Sequence, residues 1–240
     1  MLKAAIEKIE AMAKPEIFEV DGRTYSILAD GGYSQIKPDV EMPETLRLNS
    51  LDALVRLVKE EAQHIEDSLF VSVTNHDKVS AYSQITTYSG RYERRLYYNA
   101  FATDVPGWEP KMEMGFDEAT VALLTRFQEG GDREYVLRLL SQITTGAKVT
   151  YSDNGIASTM VMTKGASLAE NVTIKPIVKL RPYRTFQEVE QPEGLFLIRI
   201  RERGIAFIEA DGGMWKLTAR NTIKAYLEAE LKDCPVTVML

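Results

Sequence analysis

The stretch GLFLIRIRERGIAFIEAD, residues 194–211, constrains the fold of this chain more than any other. Its side chains alternate along an extended backbone. Phe196, Ile198 and Ile200 fall on one side, and Arg199, Arg201 and Arg203 on the other. Successive Cβ atoms of a strand point to opposite faces of the pleat, so this pattern predicts a strand with one buried face. A turn near Arg203-Gly204 folds the stretch into a hairpin. Helical spacing follows from Met214 to Lys232, with Trp215, Ala219, Ile223, Tyr226 and Leu227 on one face.

The rest of the chain has the same character, with strands in runs and helices in runs. EIFEVDGRTYSILAD predicts a hairpin turning at Asp21-Gly22, and SLFVSVTN, KVSAYSQI and RYERRLYYNAF predict an antiparallel meander. LNSLDALVRLVKEEAQHIED predicts a helix capped by Asn49 or Ser50, with Leu51, Leu54, Val55 and Val58 as its stripe. Two helices follow, DEATVALLTRFQEG closed by Gly130 and DREYVLRLLSQI opened by Asp132. AKVTYSDNGIASTMVM predicts a hairpin at Asn154-Gly155, NVTIKPIVKL a further strand, and VTVML a closing strand. Without regular strand–helix alternation, the expectation is an α+β fold: antiparallel sheets, several packed helices, and a long C-terminal helix after a β-hairpin. The opening MLKAAIEKIEAMAK reads as a short amphipathic helix ended by Pro15, and Lys37 to Pro43 as a linker. This divides the chain into a small unit, 1–43, and a main domain, 44–240.

With 240 residues the chain can bury a core without staples, and 45% hydrophobic with 27% charged residues is the balance of an ordinary globular protein. The net charge of -6 argues against a wholly basic nucleic-acid binder, though not against a local basic face. Cys234 is the only cysteine, which excludes an internal disulfide and a Cys-based zinc site and fits a reducing cytoplasm. Nothing approaches the roughly 18 consecutive apolar residues of a membrane span, so no membrane association is expected. The N-terminus is too charged for the apolar core of a signal peptide.

The word ADGG occurs at Ala29–Gly32 and again at Ala210–Gly213. It could mark a repeat, a phosphate-cradling loop or two turns. The flanks diverge, and neither G-x-G-x-x-G nor G-x-x-x-x-G-K-[ST] is present, so both copies read as strand-terminating turns. The second copy could still offer the Gly212 and Gly213 amides to an anion at a helix N-terminus.

Candidates for chemistry are sparse. His64 and His76 are the only histidines and lack metal-ligand spacing, so both read as solvated surface residues and no metal site is expected. Cys234 shows no base or electropositive setting and reads as a structural thiol. Glu60, Glu61, Glu188 and Glu190 could pair in a hydrolytic cleft, but nothing in the sequence assigns them. No cofactor motif or catalytic residue emerges.

Positive charge is distributed unevenly. From Val172 to Phe207 seven Lys/Arg (175, 179, 181, 184, 199, 201, 203) face four Glu (188, 190, 193, 202), a balance of +3 inside an acidic chain. Lys175, Lys179 and Arg181 oppose Ile174, Val178 and Leu180, as Arg199, Arg201 and Arg203 oppose their aliphatic neighbours. If the two strands share a sheet, the six cations would form a strip able to track a phosphate backbone. The alternative is a solvated sheet face whose cations pair with neighbouring glutamates. RPYRTFQEVEQPEG, with Tyr183, Arg184 and Phe186, reads either as a semi-rigid contact loop for a protein partner or as a connector whose aromatics tuck into the core.

The residues Pro182-Tyr183-Arg184-Thr185-Phe186, Glu190-Gln191-Pro192 and Asp211-Gly212-Gly213 resemble an uncharacterised family of tailed-phage and prophage proteins, and the order of the preceding segments looks like the YfdQ-like prophage family. The resemblance spans about residues 45 to 231. It implies a phage-encoded accessory protein in a bacterial cytoplasm, and it carries no catalytic residue. The expectation is a non-catalytic protein that binds a host or phage macromolecule involved in replication, recombination or defence. The rival is a single-stranded nucleic-acid-binding or annealing accessory, and a carboxylate-dependent hydrolase is a third reading. Edge strands such as TVML could pair subunits into a homo-oligomer.

Overall fold

In a computed structural model, residues 3, 17–20, 23–27, 31–36, 43–65, 68–88, 91–108, 113–145, 148–153, 158–163, 170–201 and 204–240 are described. The predicted N-terminal helix, the turns at Asp21-Gly22 and Asn154-Gly155, and Arg203 lie outside them. The chain divides into two compact units, one of residues 1–44 with 85–94, the other of residues 45–84 with 95–240.

The smaller unit contains a three-stranded antiparallel sheet, β1 (Ile17–Val20), β2 (Arg23–Ile27) and β3 (Tyr33–Ile36). Its register sets Phe18 opposite Tyr25, whose rings stack with centroids 5.5 Å apart. None of its described strand side chains is buried.

In the larger unit, β4 (Leu46–Leu48) leads into helix α1 (Leu51–Glu61), and β5 (Leu69–Asn75) and β6 (Lys78–Ser83) follow. The small hairpin β7 (Thr86–Tyr88) and β8 (Arg91–Glu93) belongs to the first unit, after which β9 (Leu96–Phe101) returns to the meander. RYERRLYYNAF is therefore two strands rather than the one expected. At the break, Arg95 receives the Ser83 amide on its carbonyl and donates its own amide to Ser83 Oγ at 2.9 Å. The meander β5-β6-β9 gains parallel edges, β4 beside β9 and β17 (Val236–Met239) beside β5.

Strand β10 (Glu113–Met114) precedes helices α2 (Phe116–Arg126) and α3 (Arg133–Thr145). A three-stranded antiparallel sheet follows, β11 (Lys148–Asp153), β12 (Ser158–Thr163) and β13 (Glu170–Ile174). Then come β14 (Ile177–Leu180), β15 (Gly194–Ile200), β16 (Ile205–Glu209) and helix α4 (Trp215–Glu230). Strands β10-β16-β15-β14 form one antiparallel sheet. The fold is α+β, with the long C-terminal helix after a hairpin as the alternation predicts.

Two hydrophobic cores result. In the first, Val178, Leu180, Phe196, Ile198, Ile200, Ile205 and Phe207 on the inner face of the four-stranded sheet meet Ala119, Ala122 and Leu123 of α2 and Val136, Leu139 and Leu140 of α3. In the second, the five-stranded sheet packs on Leu51, Leu54, Val55 and Val58 of α1 and on Ile223 and Leu227 of α4. Helix α1 is capped at Ser50, whose Oγ accepts from the Ala53 amide at 3.1 Å. A second cap comes from far along the chain, because Glu188 Oε1 accepts from the amides of Leu51 and Asp52 at 2.7 and 3.2 Å.

Candidate binding surface

The residues 182–193 form the connector between the two cores. Pro182, Thr185, Phe186, Val189, Gln191 and Pro192 are buried, and Phe186 and Val189 belong to the second core. Gln191 holds the loop shut. Its Oε1 accepts from the amides of Arg184 and Thr185, and its Nε2 donates to the carbonyls of Phe186 and Val189. Thr185 Oγ1 reaches the carbonyl of His76 and Gln187 Nε2 that of Asp104. Tyr183, Arg184 and Phe186, read from sequence as either a partner contact or a connector, differ in how far the fold engages them. Phe186 is 1% exposed, the Arg184 side chain is turned inward, and Tyr183 is half-buried with its amide bonded to Arg126. A loop this rich in buried groups cannot give up its aromatics to a partner without losing core packing.

Arg184 is the centre of the seam. Its guanidinium pairs with Glu209 at 2.5 Å and lies over the Trp215 ring, where His76 packs edge-on with ring centroids 4.7 Å apart. Burial lowers the Arg184 pKa to about 10, with Glu209 and Asp211 opposing the shift. Gly194 is required beneath it, because a Cβ there would lie 2.5 Å from the guanidinium. His76 is thus no solvated surface histidine. Burial lowers its pKa first of all; Asp77 opposes that shift, while Lys216 and Arg184 add to it.

Of the six cations expected to form a phosphate-tracking strip, four are engaged by carboxylates of the same chain. Lys175 pairs with Asp132 at 2.7 Å and Lys179 with Glu193 at 3.1 Å. Arg181 is held by Glu190 and Glu193, and Arg201 by Glu113 at 2.6 Å. Arg199 is half-buried and engaged with its surroundings, and Arg203 lies outside the described residues. Ile174, Val178, Leu180, Ile198 and Ile200 are buried as the alternation predicts, while Lys175, Lys179, Arg181 and Arg201 each meet a carboxylate.

Asp132 shows how. Read from sequence as a helix opener, its carboxylate accepts from both Lys175 Nζ and the Lys179 amide, at 2.7 and 2.8 Å, while its own amide donates to the Lys179 carbonyl. Partial burial works against its charge, but the bonds from Lys175 and Lys179 outweigh this and hold the carboxyl below its usual range. The outer edge of β14 is thereby closed to further pairing. Gly131 beside it has φ +57, and a Cβ there would lie 2.4 Å from the Lys179 carbonyl oxygen.

The outer face of the four-stranded sheet carries aliphatic side chains beside Lys179 and Arg199. Register places Ile177 opposite Leu197, Lys179 opposite Leu195, and Leu197 opposite Ile208. Ile177 and Leu195 are exposed, and Leu197 and Ile208 half-buried. An apolar centre bounded by self-paired ions is the anatomy of a protein contact patch rather than of a polyanion track.

The remaining candidates are engaged elsewhere. The Gly213 amide donates to Asp211 Oδ1 at 3.0 Å, so a carboxylate of the chain already takes that donor of the turn. Glu61 accepts from the Tyr98 hydroxyl, Glu188 caps α1 and Glu190 holds Arg181, so these carboxylates do not converge for acid–base work. His64 is exposed, and Cys234 is half-buried against the second core. Among the described residues no three His, Cys, Asp or Glu cluster to hold a metal ion, and no helix is long and apolar enough to cross a membrane.

The site and fold define an α+β protein with a mixed aliphatic and ion-paired sheet face. Comparison with family models, curated proteins and solved structures finds no match.

Proposed function

We propose that the chain is a phage-encoded, non-catalytic accessory protein of the bacterial cytoplasm that binds a protein of the host or phage replication, recombination or defence machinery. The observation that carries this reading is the outer face of β14, β15 and β16. Ile177, Leu195, Leu197 and Ile208 form its centre, and Lys179–Glu193 and Arg201–Glu113 are the ion pairs at its border. A nucleic-acid interface needs cations free to replace condensed counterions, whereas here Lys175, Lys179, Arg181 and Arg201 are each paired with a carboxylate of the same chain. The phage assignment rests on the residues 180–228 and their resemblance to prophage proteins.

Affinity capture from bacteria carrying the phage, with the wild type and an Ile177→Glu, Leu195→Glu double variant side by side, tests it. Both side chains are exposed, so the fold tolerates the change. The expected result is one protein species retained by the wild type and lost by the variant. Retention of the same species by both removes the sheet face from the account.

A further inference from the structure

Helix α2 is apolar on two opposite sides. Ala119, Ala122 and Leu123 are buried in the first core, while Val121 and Leu124 on the solvent side are 58% and 54% exposed. A surface helix normally carries polar residues there. On one side of this ridge runs a groove of about 350 Å³ bounded by Trp108, Met114, Val121 and Ala122. Past the C-terminal end of the helix lies an open groove of about 600 Å³, which Leu124 alone of α2 lines, together with polar Gln128, Glu129, Arg133 and Glu190. An exposed apolar ridge beside a groove is a surface that helix-on-helix packing uses.

The ends of the ridge differ in charge. Asp117 and Glu118 stand exposed in the first turn and Arg126 in the last, and none of the three forms an ion pair with another described residue. We propose that α2 is the docking ridge for one amphipathic helix of a protein partner, lying antiparallel to it. The partner's apolar stripe sits astride Val121 and Leu124, its acidic first turn meets Arg126, and its basic last turn meets Asp117 and Glu118. Antiparallel packing also sets each helix dipole against the opposite end of the other. The inference rests on the chain being a protein-binding one and adds the chemistry of what it binds.

The probe is a fluorescein-labelled synthetic peptide of about five helical turns, with leucines at helical spacing, glutamates in its first turn and lysines in its last. Its binding to the full chain is read by fluorescence anisotropy. Saturable binding is expected, weakened at least about tenfold by Val121→Ser with Leu124→Ser and about threefold by Asp117→Asn with Glu118→Gln. Leu195→Ser on the sheet face is expected to leave it unchanged. Absence of saturable binding, equal affinity for a scrambled peptide of the same composition, or indifference to the Val121 and Leu124 changes overturns the α2 site. Each of those results leaves the capture experiment on the sheet face standing, so the two readings fail separately.

Discussion

The Arg184 guanidinium lies 3.9 Å from the centroid of the Trp215 ring and 2.5 Å from Glu209, so one side chain joins the loop at 182–193, the end of β16 and the start of α4. The charge is drawn out of water only because a carboxylate and an aromatic face replace the solvent.

Arg184→Ala should therefore destabilise the larger unit by about 3 kcal/mol, since it leaves Glu209 without its partner and a void over Trp215. Arg184→Lys should recover only part of this, because an ammonium cannot stack and pair at once. Urea denaturation followed by far-ultraviolet circular dichroism measures both, and a loss below about 0.5 kcal/mol for the alanine variant contradicts the seam's structural role.

His76 predicts a pH effect. Its folded pKa lies below the ordinary value of 6.5 through burial, so protonation favours the unfolded chain. Its contribution to stability is fully present above pH 6.5 and is lost as the pH falls from there through the folded pKa. Thermal unfolding of His76→Gln against the wild type should show a gap that changes across that window and is constant above it. A wild-type advantage over His76→Gln that grows as the pH falls below 6.5 has the wrong sign.

Glycine substitutions separate conformation from contact. Gly131 and Gly212 both have positive φ, but a Cβ at Gly131 meets the Lys179 carbonyl while one at Gly212 meets nothing within 4 Å. Gly212→Ala should cost about 1 kcal/mol and Gly131→Ala at least about twice that, as it also displaces the edge of β14. Equal melting temperatures for the two variants would show that the close approach at Gly131 relaxes freely.

The long-range cap on α1 makes a further prediction. Glu188→Ala removes the acceptor of the Leu51 and Asp52 amides and should cost about 1 kcal/mol, similar to Ser50→Ala. The two losses should add to within a few tenths of a kcal/mol if the caps act on separate amides, which a double-mutant cycle in urea measures.

Sequence periodicity located what local chemistry determines. Leu51, Leu54, Val55 and Val58 all enter the core, and Phe196, Ile198 and Ile200 all face inward, because the 3.6 and 2.0 periods report burial directly. It missed what depends on partners distant in the chain. Arg184 meets Glu209 25 residues on, Glu188 caps a helix 137 residues back, and the Asp132 carboxylate serves Lys175 and Lys179 while its carbonyl accepts from Val136 in its own helix. A row of cations looks the same in sequence whether it faces phosphate or faces Asp132, Glu190 and Glu193. The break in RYERRLYYNAF was hidden for a related reason: Arg94 and Arg95 leave the alternation undisturbed, and only the pairing of Arg95 with Ser83 ends the strand.

Whether the late-strand cations serve the fold and leave a surface suited to a protein is read from salt titration of oligonucleotide binding. A labelled single-stranded oligonucleotide is titrated with the full chain from low to physiological salt. The account predicts binding no tighter than about 10⁻⁴ M at physiological salt, unaltered by Arg199→Gln with Arg201→Gln. Micromolar affinity that falls linearly with the logarithm of salt concentration, and disappears in that double variant, would contradict it.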